Sequence, residues 1–327
     1  MGRVTVDSEP SKDTLDLVDR TSVKIAVLIP CYNEEQAIAR VVKGFQSCLP
    51  SAAIYVYDNN CTDRTSEVAK QAGAIVRRET RQGKGHVVRR MFADIEADVY
   101  VMVDGDGTYD ATQAPLMVET LLAGPCDMVT AIRDFTYCLN YQQAHTYGTK
   151  ALAFLVNKIF GGKLQDMFSG YRAFSRRFVK SFPMVSAGFE IETELTIHAL
   201  ELQMKTAEVK APYFDREPGS TSKLRAFRDG FRVLFMIIRF VKEERPLQLF
   251  ASLGTMSALL SVGLGIPLVI TYLHTGLVPR IPTAILSSAL MLLGFLGFIL
   301  GFILSSVTTA RREARRLSYL GIPPVKM

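Results

Sequence analysis

Three carboxylates follow an apolar run in the segment VMVDGDGTYD, residues 101–110. Asp104, Asp106 and Asp110 bring like charges to the point where a buried strand should end. Carboxylates this close raise one another's pKa unless a positive partner lies between them. A divalent metal ion is one such partner, because Mg²⁺ prefers oxygen ligands. The alternative chemistry is a first aspartate that attacks a phosphoryl group as a nucleophile.

The elements around this cluster decide where it lies. From Val23 onward, short apolar runs alternate with helical patterns, and strands are predicted at 23–30, 52–58, 74–78, 98–104, 126–133 and near 206–214. This alternation predicts a parallel sheet with helices on both faces, in which ligands bind beyond the carboxyl ends of the strands. Pro30–Glu35, Asp58–Asp63 and Asp104–Asp106 all fall at such ends, so we predict that they form one site.

Composition narrows the partners of this site. The 327 residues carry a net charge of +6, which favours an anionic partner such as a membrane surface or a phosphate ligand. The five cysteines form no C-x-x-C pair, and we predict reduced thiols rather than disulfides or a metal site. The first 20 residues lack the apolar segment of a signal peptide and predict a polar, mobile leader.

The C-terminal quarter contains two uncharged runs, Leu247–Tyr272 and Ile281–Ala310. Because a spanning helix needs about 20 apolar residues, we predict two transmembrane helices. The segment 224–246 puts apolar residues on one helical face and basic residues on the other, which predicts an interfacial helix. Basic residues flank the outer ends of the pair, so the positive-inside rule predicts an inner or plasma membrane protein with its catalytic domain and both termini in the cytoplasm.

These patterns divide the chain into five predicted parts. They are a leader (1–22), a catalytic domain (23–223), an interfacial helix (224–246), a transmembrane hairpin (247–310) and a basic tail (311–327). Gly297 and Gly301 form a small-xxx-small step, which would allow close helix packing and, with it, a homo-oligomer.

The phosphatase alternative fails on the position of the motif. In haloacid-dehalogenase-type phosphatases the D-x-D-G-T motif lies on the first core strand, whereas three strand–helix units precede it here. That family also needs a later G-D-x-x-x-D-type motif for its metal, and the only Gly-Asp dipeptide in this chain is Gly105-Asp106.

Six segments instead resemble family 2 glycosyltransferases with the GT-A fold. PCYNEE (30–35), DNNCTDRT (58–65) and DGDGT (104–108) are similar to the strand-end motifs of that family. DMFSGYRAFS (166–175), GFEIETEL (188–195) and REPGSTSKL (216–224) are similar to the later motifs of dolichyl-phosphate mannose synthases and their bacterial relatives. The resemblance covers about residues 23–230, and it implies a Rossmann-like GT-A sheet domain followed by membrane helices.

The resemblance also implies roles for individual residues. Asp104 and Asp106 would hold Mg²⁺ or Mn²⁺ against the diphosphate of a nucleotide sugar, and the metal would then be the positive partner of the cluster. The expected catalytic residues are Asp106, Arg172 and Glu194. The expected substrate-binding residues are Pro30, Tyr32, Glu34, Asp58, Asp104, Arg133, Asp166, Ser169, Glu192, Arg216 and Lys223.

Within that set, Asp58 would bind the nucleoside base, and Glu34 or the Pro30–Tyr32 backbone would frame base and ribose. Four basic residues would surround the phosphates: Arg133, Arg172, Arg216 and Lys223. Glu194 would be a sugar-hydroxyl ligand or a weak base, with Glu192 as its companion. Asp110 is more simply explained as the N-terminal residue of a helix.

The implied reaction is transfer of a sugar from a nucleotide-diphosphate donor to a polyprenyl phosphate, undecaprenyl or dolichyl, at the cytoplasmic leaflet, with inversion at the anomeric carbon. A UDP-sugar is slightly favoured over GDP-mannose. Membrane lipids are expected partners and nucleic acid is not. Two alternatives stay open: a transferase acting on another membrane lipid, and a degenerate domain that binds nucleotide sugars as a scaffold subunit.

Overall fold

The computed structural model describes residues 5–6, 23–124, 126–138, 154, 157, 165–183, 188, 190–216, 235 and 245–324. The chain divides into two compact units. The first comprises residues 1–234 together with 315–327, and the second comprises residues 235–314.

The first unit is built on one sheet. Its strands are β1 (Thr5–Val6), β2 (Ile25–Cys31), β3 (Ala53–Asp58), β4 (Ile75–Arg78), β5 (Val99–Met102), β6 (Met128–Asp134), β7 (Arg172–Ser175) and β8 (Thr206–Pro212). Their order in the sheet is β1-β8-β6-β7-β5-β2-β3-β4. Seven strands make up the main sheet, and the two-residue β1, which falls in the predicted leader, extends its edge by pairing with β8.

Within its described residues, the first unit has six named α-helices beside these strands. They are α1 (Ile38–Cys48), α2 (Thr65–Gln71), α3 (Lys84–Asp94), α4 (Ala114–Ala123), α5 (Arg176–Ser181) and α6 (Ile191–Glu201). The strand–helix alternation predicted from the sequence is thereby confirmed from β2 to β6. A 3₁₀ turn at Ala111–Gln113 precedes α4, and Asp110 caps it by accepting a hydrogen bond from the Thr112 amide at 2.9 Å.

Helices cover both faces of the sheet. Ala173 of β7 belongs to a core cluster that includes Phe45 of α1. The next residue, Phe174, contacts Phe92 of α3 and Phe178 of α5, with ring centroids 5.8 and 4.8 Å apart. Because consecutive strand side chains point to opposite faces, α1 lies on one side and α3 and α5 on the other. The predicted layering is confirmed.

The direction of one strand differs from the predicted parallel arrangement. Strand β7 runs antiparallel to both of its neighbours, β5 and β6, while the other paired strands are parallel. The sheet is therefore mixed. The sequence did not reveal β7, because its four residues RAFS include an arginine and all four are buried, so no polar alternation marks the strand.

The second unit contains α7 (Pro246–Thr275) and most of α8 (Ile281–Leu320). Both helices are long and apolar enough to cross a membrane, and only 11% of the most apolar window of each is buried. A soluble core helix would bury most of such a face. Helix α7 ends at Gly276, whose φ of +69° provides the left-handed C-terminal cap.

Small residues let α7 and α8 approach closely. A Cβ atom added to Gly254 would lie 2.8 Å from the carbonyl oxygen of Gly294. Ser261 and Ser287 each donate to the other's carbonyl oxygen, at 2.7 and 2.9 Å. Gly297 and Gly301 also face α7, because Cβ atoms added to them would lie 3.3 and 3.2 Å from atoms of Phe250. Their small-xxx-small step therefore serves packing within the hairpin, and it carries no argument for a homo-oligomer.

Helix α8 continues ten residues beyond the uncharged run that ends at Ala310. The sequence RREARRLSYL contains no glycine or proline before Gly321, so nothing in it ends the helix earlier. The predicted interfacial helix, 224–246, lies outside the described residues except for Phe235, Arg245 and Pro246.

Candidate active site

The D-x-D loop leaves the carboxyl end of β5, and glycines shape it. A Cβ atom added to Gly105 would lie 2.6 Å from the sulfur of Cys31. Gly107 has a φ of +74°, and a Cβ there would lie 2.6 Å from Nη2 of Arg40. Between these glycines Asp106 is 4% exposed, and its Oδ1 accepts from the Thr108 hydroxyl at 2.7 Å. The segment D-G-D-G-T thus fixes one carboxylate and directs the loop.

Two side-chain cations meet the carboxylates of this loop. The Lys84 ammonium lies 2.5 Å from Oδ1 of Asp104 and also contacts Glu192 of α6. The Arg216 guanidinium lies 2.8 Å from Oδ2 of Asp106. Burial works to lower the pKa of Lys84, but the two carboxylates outweigh it and raise that pKa, so the ammonium stays charged. The positive partners seen in the structure are therefore a lysine and an arginine.

Sequence reasoning missed Lys84. It is the first residue of α3, and the glycine before it, with φ of +132°, donates its amide to Oδ1 of Asn59 at 2.7 Å. The G-K-G segment does not match a phosphate-binding P-loop, and that mismatch hid its significance. The available signal was a lysine between two glycines at a helix start, beside the same sheet edge as Asp58 and Asp104.

The carboxylates also fit a divalent metal that is shared with a substrate. Among the described residues, no group of three or more His, Cys, Asp or Glu side chains could hold a metal ion by itself. Mg²⁺ commonly uses one or two carboxylates, with substrate phosphates and water as its other ligands. Asp104 and Asp106 offer such a donor set of hard oxygens at the end of one strand.

Gly170 makes room for Asp104. A Cβ atom at residue 170 would lie 2.3 Å from Oδ2 of Asp104, well inside contact distance. The Gly170 amide donates to the hydroxyl of Tyr109 at 2.9 Å, which fixes its position. The glycine of the S-G-Y-R segment is therefore required by the carboxylate that it touches.

The predicted catalytic role of Arg172 requires correction. Its side chain is fully buried and donates to the carbonyl oxygens of Ser169 (3.0 Å) and Met167 (2.6 Å) and to the hydroxyl of Thr196 (2.9 Å). Burial lowers the pKa of Arg172 to about 10. A guanidinium enclosed in this way has no surface for a substrate phosphate, so Arg172 holds the 167–169 loop instead.

Ser169 needs the same correction. It is fully buried, and its hydroxyl accepts from the Tyr171 amide at 3.3 Å. The predicted contact with substrate is not available to this side chain, because its oxygen lies inside the turn that Arg172 fastens.

Arg133 and Asp166 pair with each other. The guanidinium donates Nε to Oδ2 at 2.7 Å and Nη2 to Oδ1 at 2.9 Å, a bidentate arrangement. The same guanidinium lies over the rings of Phe135 and Tyr213, at 5.4 and 5.7 Å from their centroids. Part of each side chain stays accessible, so their predicted contact with substrate remains a prediction.

Strands β2 and β3 bring the predicted nucleotide-binding residues together. Pro30 pairs with Tyr57, and Cys31 with Asp58, at the last positions of the two strands. Asp58 accepts from the Cys61 amide at 2.7 Å and from the Ser66 hydroxyl at 2.6 Å. Partial burial acts to raise the pKa of Asp58, but these hydrogen bonds outweigh it, and the pKa is lowered. Each carboxylate oxygen keeps a second lone pair, with which it could accept from a base.

The loops after β2 and β3 brace one another. Oδ1 of Asn33, which has a left-handed φ of +55°, accepts from the Thr62 amide at 2.8 Å. Tyr32 is 38% exposed, whereas Glu34 is buried and its amide donates to the Thr65 hydroxyl at 2.8 Å. Tyr32 is therefore a predicted contact whose side chain is largely open to solvent at this edge, whereas the Glu34 side chain is not.

Helix α6 contributes its glutamates unequally. Glu192 is buried and joined to Asp104 through Lys84, and its Oε2 has no hydrogen-bond partner among the described residues. Burial raises the pKa of Glu192, and Lys84 opposes this. Glu194 is also buried, but two residues along a helix point in different directions. Glu192, predicted only as a companion, is thus the one that Lys84 connects to the D-x-D loop. Lys223 lies outside the described residues.

Comparison with known proteins agrees with this architecture. The family model described as Glycosyl transferase family 2 matches residues 26–182. The glycosyltransferase AglJ of Haloferax volcanii is 34% identical over 253 residues, which cover 76% of this chain and 81% of that protein. The chain belongs to glycosyl transferase family 2.

This family 2 glycosyltransferase is also similar to one further curated protein and to a solved structure. The dolichyl-phosphate hexose transferase of Haloferax volcanii is 28% identical over 229 residues, covering 70% of this chain and 99% of that protein. Glucosyl-3-phosphoglycerate synthase from Mycobacterium tuberculosis, crystallised with Mn²⁺, UDP and phosphoglyceric acid, superposes with a TM-score of 0.61 at 21% identity. That superposition covers 72% of this chain and 84% of the synthase, and it shows the GT-A fold.

Proposed function

We propose that this family 2 glycosyltransferase is anchored in a membrane and transfers one sugar from a nucleotide-diphosphate sugar to a polyprenyl phosphate. The observation that carries the proposal is one chain that combines a D-x-D site with two exposed apolar helices long enough to span a bilayer. A soluble acceptor would not require such helices. The alignment with the dolichyl-phosphate hexose transferase covers 99% of that protein, and its name supports a polyprenyl phosphate as the acceptor.

The donor would bind at the carboxyl ends of β2, β3 and β5. Asp104 and Asp106 would hold Mg²⁺ or Mn²⁺, which would neutralise charge on the diphosphate leaving group. Lys84 keeps the Asp104 carboxylate in a fixed direction, and Arg216 lies at Asp106, within reach of a bound phosphate. We favour a UDP-sugar slightly over GDP-mannose, and the Mycobacterium synthase crystallised with UDP supports that preference.

The acceptor needs little activation. A phosphate monoester has its second pKa near 6, so its oxygen is already a nucleophile at neutral pH. That oxygen would form a bond to the anomeric carbon while the bond from this carbon to the diphosphate breaks, which inverts the configuration. Glu194 and Glu192 remain our proposed contacts to the sugar, and Arg216 and Lys223 our proposed contacts to the acceptor phosphate.

The membrane arrangement follows from charge. Arg311, Arg312, Arg315 and Arg316 follow the second apolar stretch, whereas the connection between α7 and α8 carries only Arg280 and His274 near it. By the positive-inside rule, we propose that the catalytic domain (23–223) and the tail (311–327) lie in the cytoplasm, with 224–246 along the membrane surface.

The proposal is tested with the full chain in lipid nanodiscs. UDP and GDP release is measured from a panel of nucleotide sugars, with polyprenyl phosphate, with diacylglycerol or without an acceptor. We expect release that depends on polyprenyl phosphate, stops with EDTA and returns with Mn²⁺ or Mg²⁺. Asp106→Asn should abolish transfer, whereas the matched control Asp110→Asn, at the cap of the 3₁₀ turn, should keep it.

Each other outcome identifies a different error. Equal release with diacylglycerol would replace the acceptor class, and full turnover in EDTA would remove the metal. Nucleotide binding without transfer to any acceptor would favour a scaffold subunit.

A further inference from the structure

The last residues of α8, from Arg315 onward, belong to the first unit and make charged and aromatic contacts within it. Arg315 lies 2.7 Å from Oε2 of Glu201, the last residue of α6. The Tyr319 hydroxyl donates to Oδ2 of Asp127 at 2.7 Å, and the Arg177 guanidinium lies over the Tyr319 ring at 4.8 Å. We call these five residues the C-terminal clasp. Residues 315–327 form one compact unit with residues 1–234, which agrees with these contacts.

The acidic partners in the clasp are buried. The side chains of Glu201 and Asp127 are 2% and 1% exposed, whereas Arg315 and Arg177 are 22% and 21% exposed. A carboxylate that is removed from water is costly unless a cation or hydrogen-bond donor meets it. The tail therefore supplies a cation to Glu201 and a hydrogen-bond donor to Asp127. A basic tail that only set the orientation in the membrane would not need these specific contacts.

Two of the clasp contacts reach the end of an element that carries site residues, or the residue next to it. Glu201 ends α6, and Glu192 lies nine residues earlier, about 14 Å along the same rigid helix. Asp127 immediately precedes β6, which carries Arg133, and its Oδ1 accepts from the Ser175 hydroxyl at 2.7 Å. Helix α6 also packs on α5: the ring centroids of His198 on α6 and Phe178 on α5 lie 5.3 Å apart.

We propose that the C-terminal clasp positions α6, and through it Glu192 and Lys84, so that the site is fully formed only when the end of α8 is docked. Arg315 and Tyr319 are thus positioning residues that never touch substrate. This inference rests on the proposed function only for its effect on transfer. Its effect on the backbone can be measured without any substrate.

Hydrogen exchange of the full chain in nanodiscs tests the proposal. The variants are Arg315→Ala, Tyr319→Phe, which removes only the hydroxyl, and the charge swap Arg315→Glu with Glu201→Arg. The matched control is Arg311→Ala, which removes the same charge from an exposed position on the same helix. For Arg315→Ala we expect roughly two- to thirtyfold faster exchange at both ends of α6, with the control unchanged and the swap partly restored.

Transfer kinetics provide the second measurement. Arg315→Ala should lower kcat by a similar factor, while KM for the donor rises by no more than that factor, since Asp106 and its contact with Arg216 do not depend on α6. Unchanged exchange at residues 191–195 would overturn the proposal, as would equal effects in Arg311→Ala. If the wild type transfers no sugar to polyprenyl phosphate but the exchange results hold, the proposed function fails and the clasp stands. Tyr319→Phe keeps the test decisive if Arg315→Ala does not fold, because a folded Tyr319→Phe with wild-type exchange and kcat would also overturn it.

Discussion

Lys84→Met isolates the contribution of the cation between Asp104 and Glu192. Methionine keeps the length of the side chain and removes its charge. The Lys84 and Glu192 side chains are 9% and 6% exposed, so the change leaves a buried carboxylate without its cation. Removing one partner of a buried ion pair costs about 3–5 kcal/mol. The Asp104 side chain is 30% exposed and can draw water, so we expect the lower end, a loss of about 3 kcal/mol.

A second substitution identifies the source of that loss. Glu192→Gln in the Lys84→Met background removes the stranded charge, and it should recover more than half of the lost stability. The coupling between the two positions should then be about 2 kcal/mol, within the range for residues in direct contact. Pulse proteolysis of the full chain in nanodiscs measures the free energy of unfolding of the first unit. Lys84→Arg should retain most of the stability, because it keeps the positive charge.

Lys70→Met is the matched control, since Lys70 lies exposed on α2 and the chemical change is the same. It should alter stability by no more than about 0.5 kcal/mol. A Lys84→Met protein as stable as Lys70→Met would refute the view that Lys84 holds two carboxylates together. So would a double variant that is no more stable than Lys84→Met alone, because the stranded glutamate would then not be the cause.

Three further predictions follow from the same structure. Gly170→Ala places a Cβ 2.3 Å from Oδ2 of Asp104, so it should reduce transfer about a hundredfold while circular dichroism shows a folded protein; near wild-type transfer would contradict the fit. Burial lowers the pKa of His198 from its ordinary 6.5 to about 3, so it is neutral when folded, and stability should fall as pH drops below 6.5. Between pH 7 and 5 we expect a loss of about 2 kcal/mol that His198→Gln removes, and an equal acid loss in that variant would exclude this cause. A cysteine at Leu277 should react with a membrane-impermeant reagent outside the cell and one at Gly321 should not; the reverse result would invert the topology.

The sheet could be predicted because buried strands are visible as apolar runs in the sequence. The apolar runs of β2, β3 and β5 are each followed by polar loop residues, and this pattern is visible without tertiary information. Strand β7 has no such apolar run, since its sequence is RAFS. Its four residues become a strand because β5 and β6 offer unpaired edges on either side, and that condition depends on the rest of the sheet.

The place of the motifs in the sheet was predicted more accurately than the partners of their side chains. The strand-end motifs are brought together, as expected from their places in the alternation. Their partners could not be predicted, because Lys84 reaches Asp104 from a helix that starts 20 residues earlier, and Glu192 meets Lys84 from a position 108 residues after that lysine. Spacing along the chain carries no information about which cation meets which carboxylate when each belongs to a different element.

The segment S-G-Y-R shows why residue type alone did not determine a role. Arginine at a phosphate-binding site and arginine that holds a loop use the same donors, and only their surroundings distinguish them. In this chain Arg172 directs those donors to the carbonyl oxygens of Met167 and Ser169 in the loop, and the loop in turn places Gly170 against Asp104. Arginine and glycine therefore serve the same carboxylate, one by holding the backbone in place and the other by leaving space. That geometric requirement explains both residues without contact between Arg172 and any substrate.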